Sequence, residues 1–243
     1  MADIIINEDL LRRIVRAIDK AIADDIPQYL RDHRKETNNA IMQLRGDYIN
    51  ENLRQFVVAE GIELIPFRRF VWQGRLLADR RNKVTYSITT QANLSAIPKK
   101  KDRTKPHFLQ SVLAAENSGY QGRYKQETLF SMDMFDAETL KNDYDEIIAG
   151  MLDPAEGYCH YVISYQTAEN DLVDVKLEFL DSGFATVEEV SLNDYIKPDF
   201  ARLTNTESID ENVPIPASEG VRGLLGIKKA GIRPALREAE EEA

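Results

Sequence analysis

The first segment of the chain repeats apolar positions with the period of a helix. Asn7 is a suitable N-cap, and the acidic residues Glu8 and Asp9 follow it in the first turn. We expect this helix to end near Asp24 to Pro27, because two acidic residues and a proline interrupt the pattern. Its buried face is predicted to hold Leu10, Leu11, Ile14, Val15, Ile18 and Ile22. A second helix is predicted over 47–60, and Gly61 ends it.

The period changes after Gly61. Residues 62–77 are rich in β-branched and aromatic side chains, residues 79–83 are polar, and residues 84–90 alternate. Such a pattern predicts a β-hairpin over 62–91. A short helical turn is expected at 92–97, followed by an exposed basic loop and a third helix over about 105–117.

The second half of the chain begins with an acidic helix that Asp136 can cap, and three short strands follow it. The strands are predicted at about 158–166, 171–180 and 184–190, and their short turns indicate an antiparallel meander. The fold class is therefore α+β, with N-terminal helices packed on antiparallel sheet made of the hairpin 62–91 and the three-stranded meander 158–190. The pattern leaves open whether the strands form one sheet or two.

The C-terminal part of the chain differs in composition from the rest. We predict an α+β domain over 1–203, a polar linker over 204–220, and a basic and apolar tail over 221–243 that ends in acidic residues. Such a tail can dock on a partner or on its own acidic domain. The docking residues are predicted to be Leu224, Leu225, Ile227, Lys228, Lys229, Ile232 and Arg233.

Composition sets limits on the class of protein. The chain has 243 residues, and a hydrophobic fraction of 43% is enough for a packed core. A single cysteine and three histidines cannot build an internal disulfide or a structural zinc site, and we predict neither a metal nor a cofactor. Since no apolar run approaches about 18 residues, we expect no membrane span and a soluble, cytoplasmic protein.

The net charge of −10 hides a strong contrast along the chain. There are 31 basic and 41 acidic residues, yet residues 1–126 carry +7 and residues 127–243 carry −17. Eleven cations against two acids give +9 within residues 66–105, where Phe67, Phe70, Trp72 and Tyr86 are interleaved. Cations with aromatic faces are typical of nucleic-acid surfaces. The predicted nucleic-acid or anion site comprises Arg68, Arg69, Trp72, Arg75, Arg80, Arg81, Lys83, Lys99, Lys100, Lys101, Arg103 and Lys105.

Two other interpretations of the same charges stay open. In one, the aromatics are core residues, and the cations face solvent or pair with the acidic half of the chain. In the other, the protein is an interaction module or a homo-oligomer in which basic and acidic surfaces of partners meet. The main hypothesis is a non-enzymatic protein that binds nucleic acid or another polyanion, and an acidic protein is the alternative partner.

An enzymatic alternative depends on the triplet Asp174-Val-Lys176, with Asp153 upstream. An acid and a lysine two apart on a strand, facing a second acid, resemble the Mg²⁺ site of nucleases of the restriction-endonuclease type. Simple strand alternation also explains the triplet, because Val173, Val175, Leu177 and Phe179 would form the buried face. No catalytic residue is therefore predicted beyond this alternative.

Cys159 and His160 are adjacent and point to opposite faces of a strand, so they form no nucleophile–base pair. Cys159 is predicted to lie in the core and His160 at a surface or interface.

Residues 60–120 follow a recognisable order. A basic strand and turn precede the strand Val84-Thr-Tyr-Ser-Ile-Thr-Thr90, and a short helix, a Lys-rich loop and the segment His107-Phe-Leu-Gln-Ser-Val-Leu113 with Asn117 follow. This order resembles a small bacterial domain family of unknown function. The resemblance implies a bacterial or phage origin and carries no catalytic motif.

Overall fold

The computed structural model describes residues 7–100, 102–122 and 135–196. In these ranges the helices are α1 (Glu8–Lys20), α2 (Ile26–Asp32), α3 (Ile41–Phe56), α4 (Gln91–Ala96), α5 (Phe108–Glu116) and α6 (Ala137–Ile148). The strands are β1 (Ile62–Arg69), β2 (Trp72–Asp79), β3 (Val84–Thr90), β4 (Cys159–Ala168), β5 (Asp171–Leu180) and β6 (Thr186–Ser191). A π-helical segment (Ala21–Asp25) joins α1 to α2, and single 3₁₀ turns cover Pro154–Glu156 and Asn193–Tyr195.

The first helix begins as predicted, but the other boundaries of the N-terminal helices differ from the prediction. The Asn7 side chain accepts a hydrogen bond from the Leu10 backbone N–H at 3.1 Å, which confirms the cap. The predicted stop at Pro27 is wrong, because the chain runs on through the π-helical segment into α2. Pro27 lies in the first turn of α2, where a missing N–H costs little. The next helix, α3, begins at Ile41 rather than at residue 47.

All six strands form one sheet in the order β1-β2-β3-β4-β5-β6. Neighbouring strands are antiparallel except β3 and β4, which pair in parallel from Val84↔Cys159 to Thr90↔Tyr165. A parallel pair needs a long crossover, and the segment with α4, α5 and α6 makes it. The α+β class is confirmed. The single predicted hairpin over 62–91 is in fact three strands, because the chain also turns at Phe70 and Val71.

The two faces of the sheet bury separate apolar clusters. One cluster joins α1 and α3 to inward residues such as Tyr86 and Val175, and the other joins α4, α5 and α6 to residues such as Ile65 and Val162. Val173 was expected on the buried face but is 44% exposed. The register between β4 and β5 shifts there, so Val173 lies in a β-bulge and has no partner across the ladder.

Within the described ranges, no helix is long and apolar enough to cross a membrane. The predicted linker 204–220 and the tail 221–243, with Leu224, Leu225, Ile227, Lys228, Lys229, Ile232 and Arg233, lie outside the described residues. Lys101 also lies outside them.

Candidate nucleic-acid interface

Strands β1 and β2 are joined by a two-residue turn that carries apolar side chains. Arg69 pairs with Trp72, so Phe70 and Val71 form the turn, and Phe70 has a φ of 53°. Turns of this kind favour Asn, Asp or Gly, which adopt positive φ at low cost. Phe70 is 76% exposed, Val71 93% and Trp72 50%. We call these three residues the aromatic tip.

The ring of Trp72 is supported from one side. Its centroid lies 5.5 Å from that of Phe67 and 5.7 Å from that of Phe108. Gly74 makes this arrangement possible, since a Cβ there would lie 2.3 Å from Cζ of Phe67 and 2.6 Å from Cη2 of Trp72. Trp72 is therefore held in place while half of its surface stays exposed.

Arg69 anchors the end of β1 to the helices beneath it. Its guanidinium forms an ion pair with Asp143 of α6, and its Nη1 donates to the backbone oxygen of Pro106 at 2.6 Å. The Ser111 hydroxyl of α5 donates to the same carboxylate of Asp143. Because Arg69 is mostly buried and paired, it serves the fold rather than a ligand.

The turn between β2 and β3 also carries cations, and each of them meets a carboxylate. Arg80 pairs with Glu63 at 2.8 Å, Arg81 pairs with Glu60 at 3.2 Å, and Lys83 pairs with Glu156. The ammonium of Lys83 also lies 5.2 Å from the ring centroid of Tyr158. These partners offset much of the positive charge that the sequence placed at this turn.

Four other predicted cations are different. Among the described residues, no carboxylate forms an ion pair with Arg68, Lys99, Lys100 or Lys105, and we call these four the free cations. Nε of Arg68 donates to the backbone oxygen of Phe70 at 2.9 Å, and Nζ of Lys105 lies 5.6 Å from the Phe70 ring centroid. Lys99 and Lys100 begin the loop whose other end is Lys105.

Two further predicted cations have local roles. Arg103 donates to the backbone oxygen of Ile97 at 3.0 Å and to the side chain of Gln110 at 3.3 Å, so it holds the loop on α5. Arg75 lines an open groove of about 710 Å³ between α3 and β1, which Glu51 and Glu63 also line. Those carboxylates make the groove unsuitable for a phosphate.

The residues of the nuclease alternative are not brought together. Asp174 accepts hydrogen bonds from Gln91 at 2.7 Å and from Asn193 at 2.9 Å, beside the C-terminal end of β3. Lys176 pairs with Glu189 at 2.9 Å. Asp153 precedes β4 and caps a 3₁₀ turn at the opposite end of the sheet. In the described part of the chain, no group of three His, Cys, Asp or Glu side chains is placed to hold a metal ion.

A chain of polar groups is buried between the sheet and α5. The Ser87 hydroxyl and Nε2 of His160 are 2.9 Å apart, and Nδ1 of His160 lies 2.7 Å from the Thr85 hydroxyl. Thr85 also contacts the carboxyl group of Glu116, to which Tyr144 donates at 2.7 Å. The expected surface position of His160 is wrong, because the residue is fully buried. Burial lowers the pKa of His160 to about 3 and raises the pKa of Glu116 to about 7.

This buried polar chain contains a serine and a histidine, as a hydrolase site does, but it is closed to a substrate. Ser87 and His160 are both enclosed, so a substrate cannot reach the hydroxyl. Cys159 lies in the opposite apolar cluster, as predicted for the adjacent strand position. The chain of hydrogen bonds therefore ties β3 and β4 to α5 and α6.

A family model described as a family of unknown function, DUF5986, matches residues 4–240. The chain belongs to that family. The predicted resemblance of residues 60–120 to an uncharacterised family is thereby confirmed, and the match is much longer than those residues. No curated protein and no solved structure matches the chain.

In this DUF5986 member, the sequence predicted Trp72 and the four free cations as candidate site residues. It showed Phe70 among the interleaved aromatics without assigning it to the site, and it gave no indication of Val71. The signal for them was weak, because Phe70 and Val71 stand in a longer run of apolar and basic residues. Glu116 was missed as well. Its place three residues after Leu113, on the inward side of α5, was the available indication.

Proposed function

We propose that this member of the DUF5986 family binds nucleic acid through the aromatic tip and the free cations. The observation that carries the proposal is the contrast between the two turns at the ends of β2. At the β2–β3 turn the cations are paired with carboxylates, whereas Arg68 and Lys105 beside the aromatic tip are unpaired among the described residues. Unpaired cations next to exposed rings match a polymer of phosphates and flat bases.

The proposal agrees with the acidic net charge of the chain. Phosphate contacts are made locally, and a cluster of cations attracts a polyanion when nearby carboxylates do not cancel its field. Four free cations predict a modest number of phosphate contacts. For a single strand, the slope of log K against log salt would be at most about −3, because each contact contributes about −0.7.

The test compares two double charge reversals that change the net charge equally. Arg68→Glu with Lys105→Glu removes free cations, and Arg81→Glu with Lys83→Glu removes paired ones. We measure fluorescence anisotropy of labelled DNA and RNA strands at about 50 mM salt and above. The first variant should lose at least about tenfold in affinity, whereas the second should stay within about threefold. Equal losses in both variants, or no binding by the wild type, would overturn the proposal.

A protein partner is the second candidate, and Val71 favours it. Val71 is 93% exposed and apolar, yet it has no aromatic face on which a base could stack. Exposed apolar groups beside arginine are common at protein interfaces. An acidic surface, including that of a second copy, would suit the free cations. Solution mass at low and high salt tests the second copy: an oligomer that dissociates in high salt and on Val71→Asp supports it, and a monomer under both conditions contradicts it.

A further inference from the structure

The aromatic tip presents ring faces that are positioned before any ligand arrives. Trp72 lies against Phe67 and Phe108, and Gly74 leaves the space that the two rings of Phe67 and Trp72 need. A ring that is already ordered loses little conformational entropy on binding. A flat ligand can therefore stack on the exposed side of Trp72 at low cost.

The exposed residue Phe70 has a strained backbone conformation. Its φ of 53° lies in the left-handed region, which is unfavourable for a residue with a Cβ. Its ring is largely exposed, so packing within the described residues does little to offset that cost. Strained residues of this kind cluster at binding sites. This backbone conformation places a second ring two residues from Trp72, in the turn of the hairpin.

Two of the free cations lie beside Phe70. Nζ of Lys105 lies 5.6 Å from the Phe70 ring centroid, and Arg68 donates to the Phe70 backbone oxygen. A base stacked on either ring would carry its phosphates into the reach of these two side chains. Duplexes hide the faces of their bases inside the stack, whereas single strands expose them.

We infer that the ligand is a single strand whose unpaired bases stack on Phe70 and Trp72 while Arg68 and Lys105 contact its phosphates. This inference rests on the proposed function and narrows it to unpaired nucleic acid. DNA and RNA share the stacking and phosphate chemistry, so the experiment has an arm for each. Equal binding of a duplex is a separate outcome of the same test.

The sole tryptophan of the chain is Trp72, so its fluorescence reports on the aromatic tip without a label. We titrate the full chain with oligothymidine and oligouridine of about 20 nucleotides, and with a mixed-sequence duplex of equal length. Anisotropy of labelled strands measures affinity in parallel. Single strands should quench Trp72 to saturation and bind at least about tenfold more tightly than the duplex. Oligothymidine and oligouridine should differ less from each other than from the duplex.

Paired variants separate stacking from simple contact. Phe70→Leu keeps an apolar side chain and removes the ring, and it should weaken single-strand binding by about fivefold to a hundredfold. Val71→Ala changes the neighbouring exposed side chain and should have little effect. Circular dichroism confirms that both variants fold, so a loss of affinity can be assigned to the missing ring.

The possible failures are distinguishable. If the duplex binds as tightly as the single strands, whether or not Trp72 is quenched, the inference of unpaired bases fails and the proposed function stands. If Phe70→Leu binds like the wild type, the stacking role of Phe70 is overturned. If neither kind of nucleic acid binds, both the inference and the proposed function fail.

Discussion

Two hairpins of the sheet have similar two-residue turns, but the residues of one turn are apolar and those of the other are polar. In the β1–β2 hairpin, Phe70 and Val71 form the turn, and in the β4–β5 hairpin, Glu169 and Asn170 form it. The first turn residue has a φ of 53° in both. Only Phe70 and Val71 expose large apolar surface. Since the first turn residue has the same φ in both hairpins, the fold does not require apolar residues at such a turn, which agrees with the proposed binding role of the aromatic tip.

The two turns also differ in how they are attached. The β1–β2 turn is fastened by the mostly buried ion pair of Arg69 and Asp143, whereas the β4–β5 turn is held by Arg45 of α3. Arg45 donates to the Thr167 hydroxyl at 3.4 Å and to the Glu169 backbone oxygen at 3.2 Å. A buried ion pair fixes the direction of a turn more firmly than partly exposed hydrogen bonds do, which agrees with the proposed role of the aromatic tip.

The largest expected effect comes from breaking the attachment of the aromatic tip. Asp143→Ala leaves the Arg69 guanidinium buried without its carboxylate, which should lower the free energy of unfolding by about 3 kcal/mol. Arg45→Ala removes partly exposed hydrogen bonds at the other turn and should cost about 1 kcal/mol. Urea denaturation measures both. Equal losses would show that the two turns are attached with similar strength.

The next effect concerns Glu116, which lies on α5 together with Phe108, the support of Trp72. Because its folded pKa of about 7 is above the usual value, its contribution to stability is complete below about pH 4.5 and is lost as the pH rises to 7. Relative to Glu116→Gln, the wild type should lose about 2–3 kcal/mol between pH 5 and pH 8. A constant difference between the two proteins would contradict the raised pKa. Measuring against Glu116→Gln is necessary because His160, with its lowered pKa, has the opposite dependence on pH.

The affinity for single strands should not change with pH in the way that the stability does. The three side chains of the aromatic tip carry no ionisable group. Burial and the neighbouring Arg103 and Arg69 lower the pKa of His107, the N-cap of α5, to about 4, so it stays neutral as well. Single-strand affinity measured at constant salt should therefore be flat from about pH 6 to pH 8. A steep change would mean that the buried polar chain affects the aromatic tip.

Much of the fold follows from local pattern. The cap at Asn7, the helix after Asp136 and the meander of β4 to β6 each have a period and a boundary that the sequence shows. The turn at Phe70 could not be found this way, because it has no Gly, Asn, Asp or Pro to interrupt an apolar run. The parallel pairing of β3 with β4 is also hidden, since it joins residues more than 70 positions apart.

The candidate site was predicted as a set of cations with one aromatic residue, Trp72. Net charge over residues 66–105 treats Arg81 and Lys105 alike, although Arg81 meets Glu60 and Lys105 lies over the Phe70 ring. Pairing depends on the register of the strands and on distant acids such as Asp143, 74 positions from Arg69. Sequence composition can therefore locate a basic segment, but the fold decides which of its cations are free.

Exchanging the two turns tests the contrast between the β1–β2 and β4–β5 hairpins directly. The double variant Phe70→Glu with Val71→Asn gives the β1–β2 hairpin the turn residues of the other hairpin. It should fold normally and lose at least about thirtyfold in single-strand affinity, or about 2 kcal/mol. The reciprocal variant Glu169→Phe with Asn170→Val should leave affinity unchanged, because Arg45 beside that turn already donates two hydrogen bonds to it, whereas Arg68 and Lys105 both lie beside Phe70. Gain of binding by the reciprocal variant would show that any exposed ring suffices.

The smallest effect separates strain from function. Asn adopts positive φ more easily than Phe or Glu, so Phe70→Asn and Glu169→Asn should each raise the free energy of unfolding by up to about 1 kcal/mol. Only Phe70→Asn should also weaken single-strand binding, by about tenfold, since it alone removes a stacking ring. Thermal denaturation and anisotropy measure the two quantities in the same samples. If Phe70→Asn instead destabilises the protein while Glu169→Asn stabilises it, the Phe70 ring contributes to packing, and its exposure cannot be attributed to a ligand.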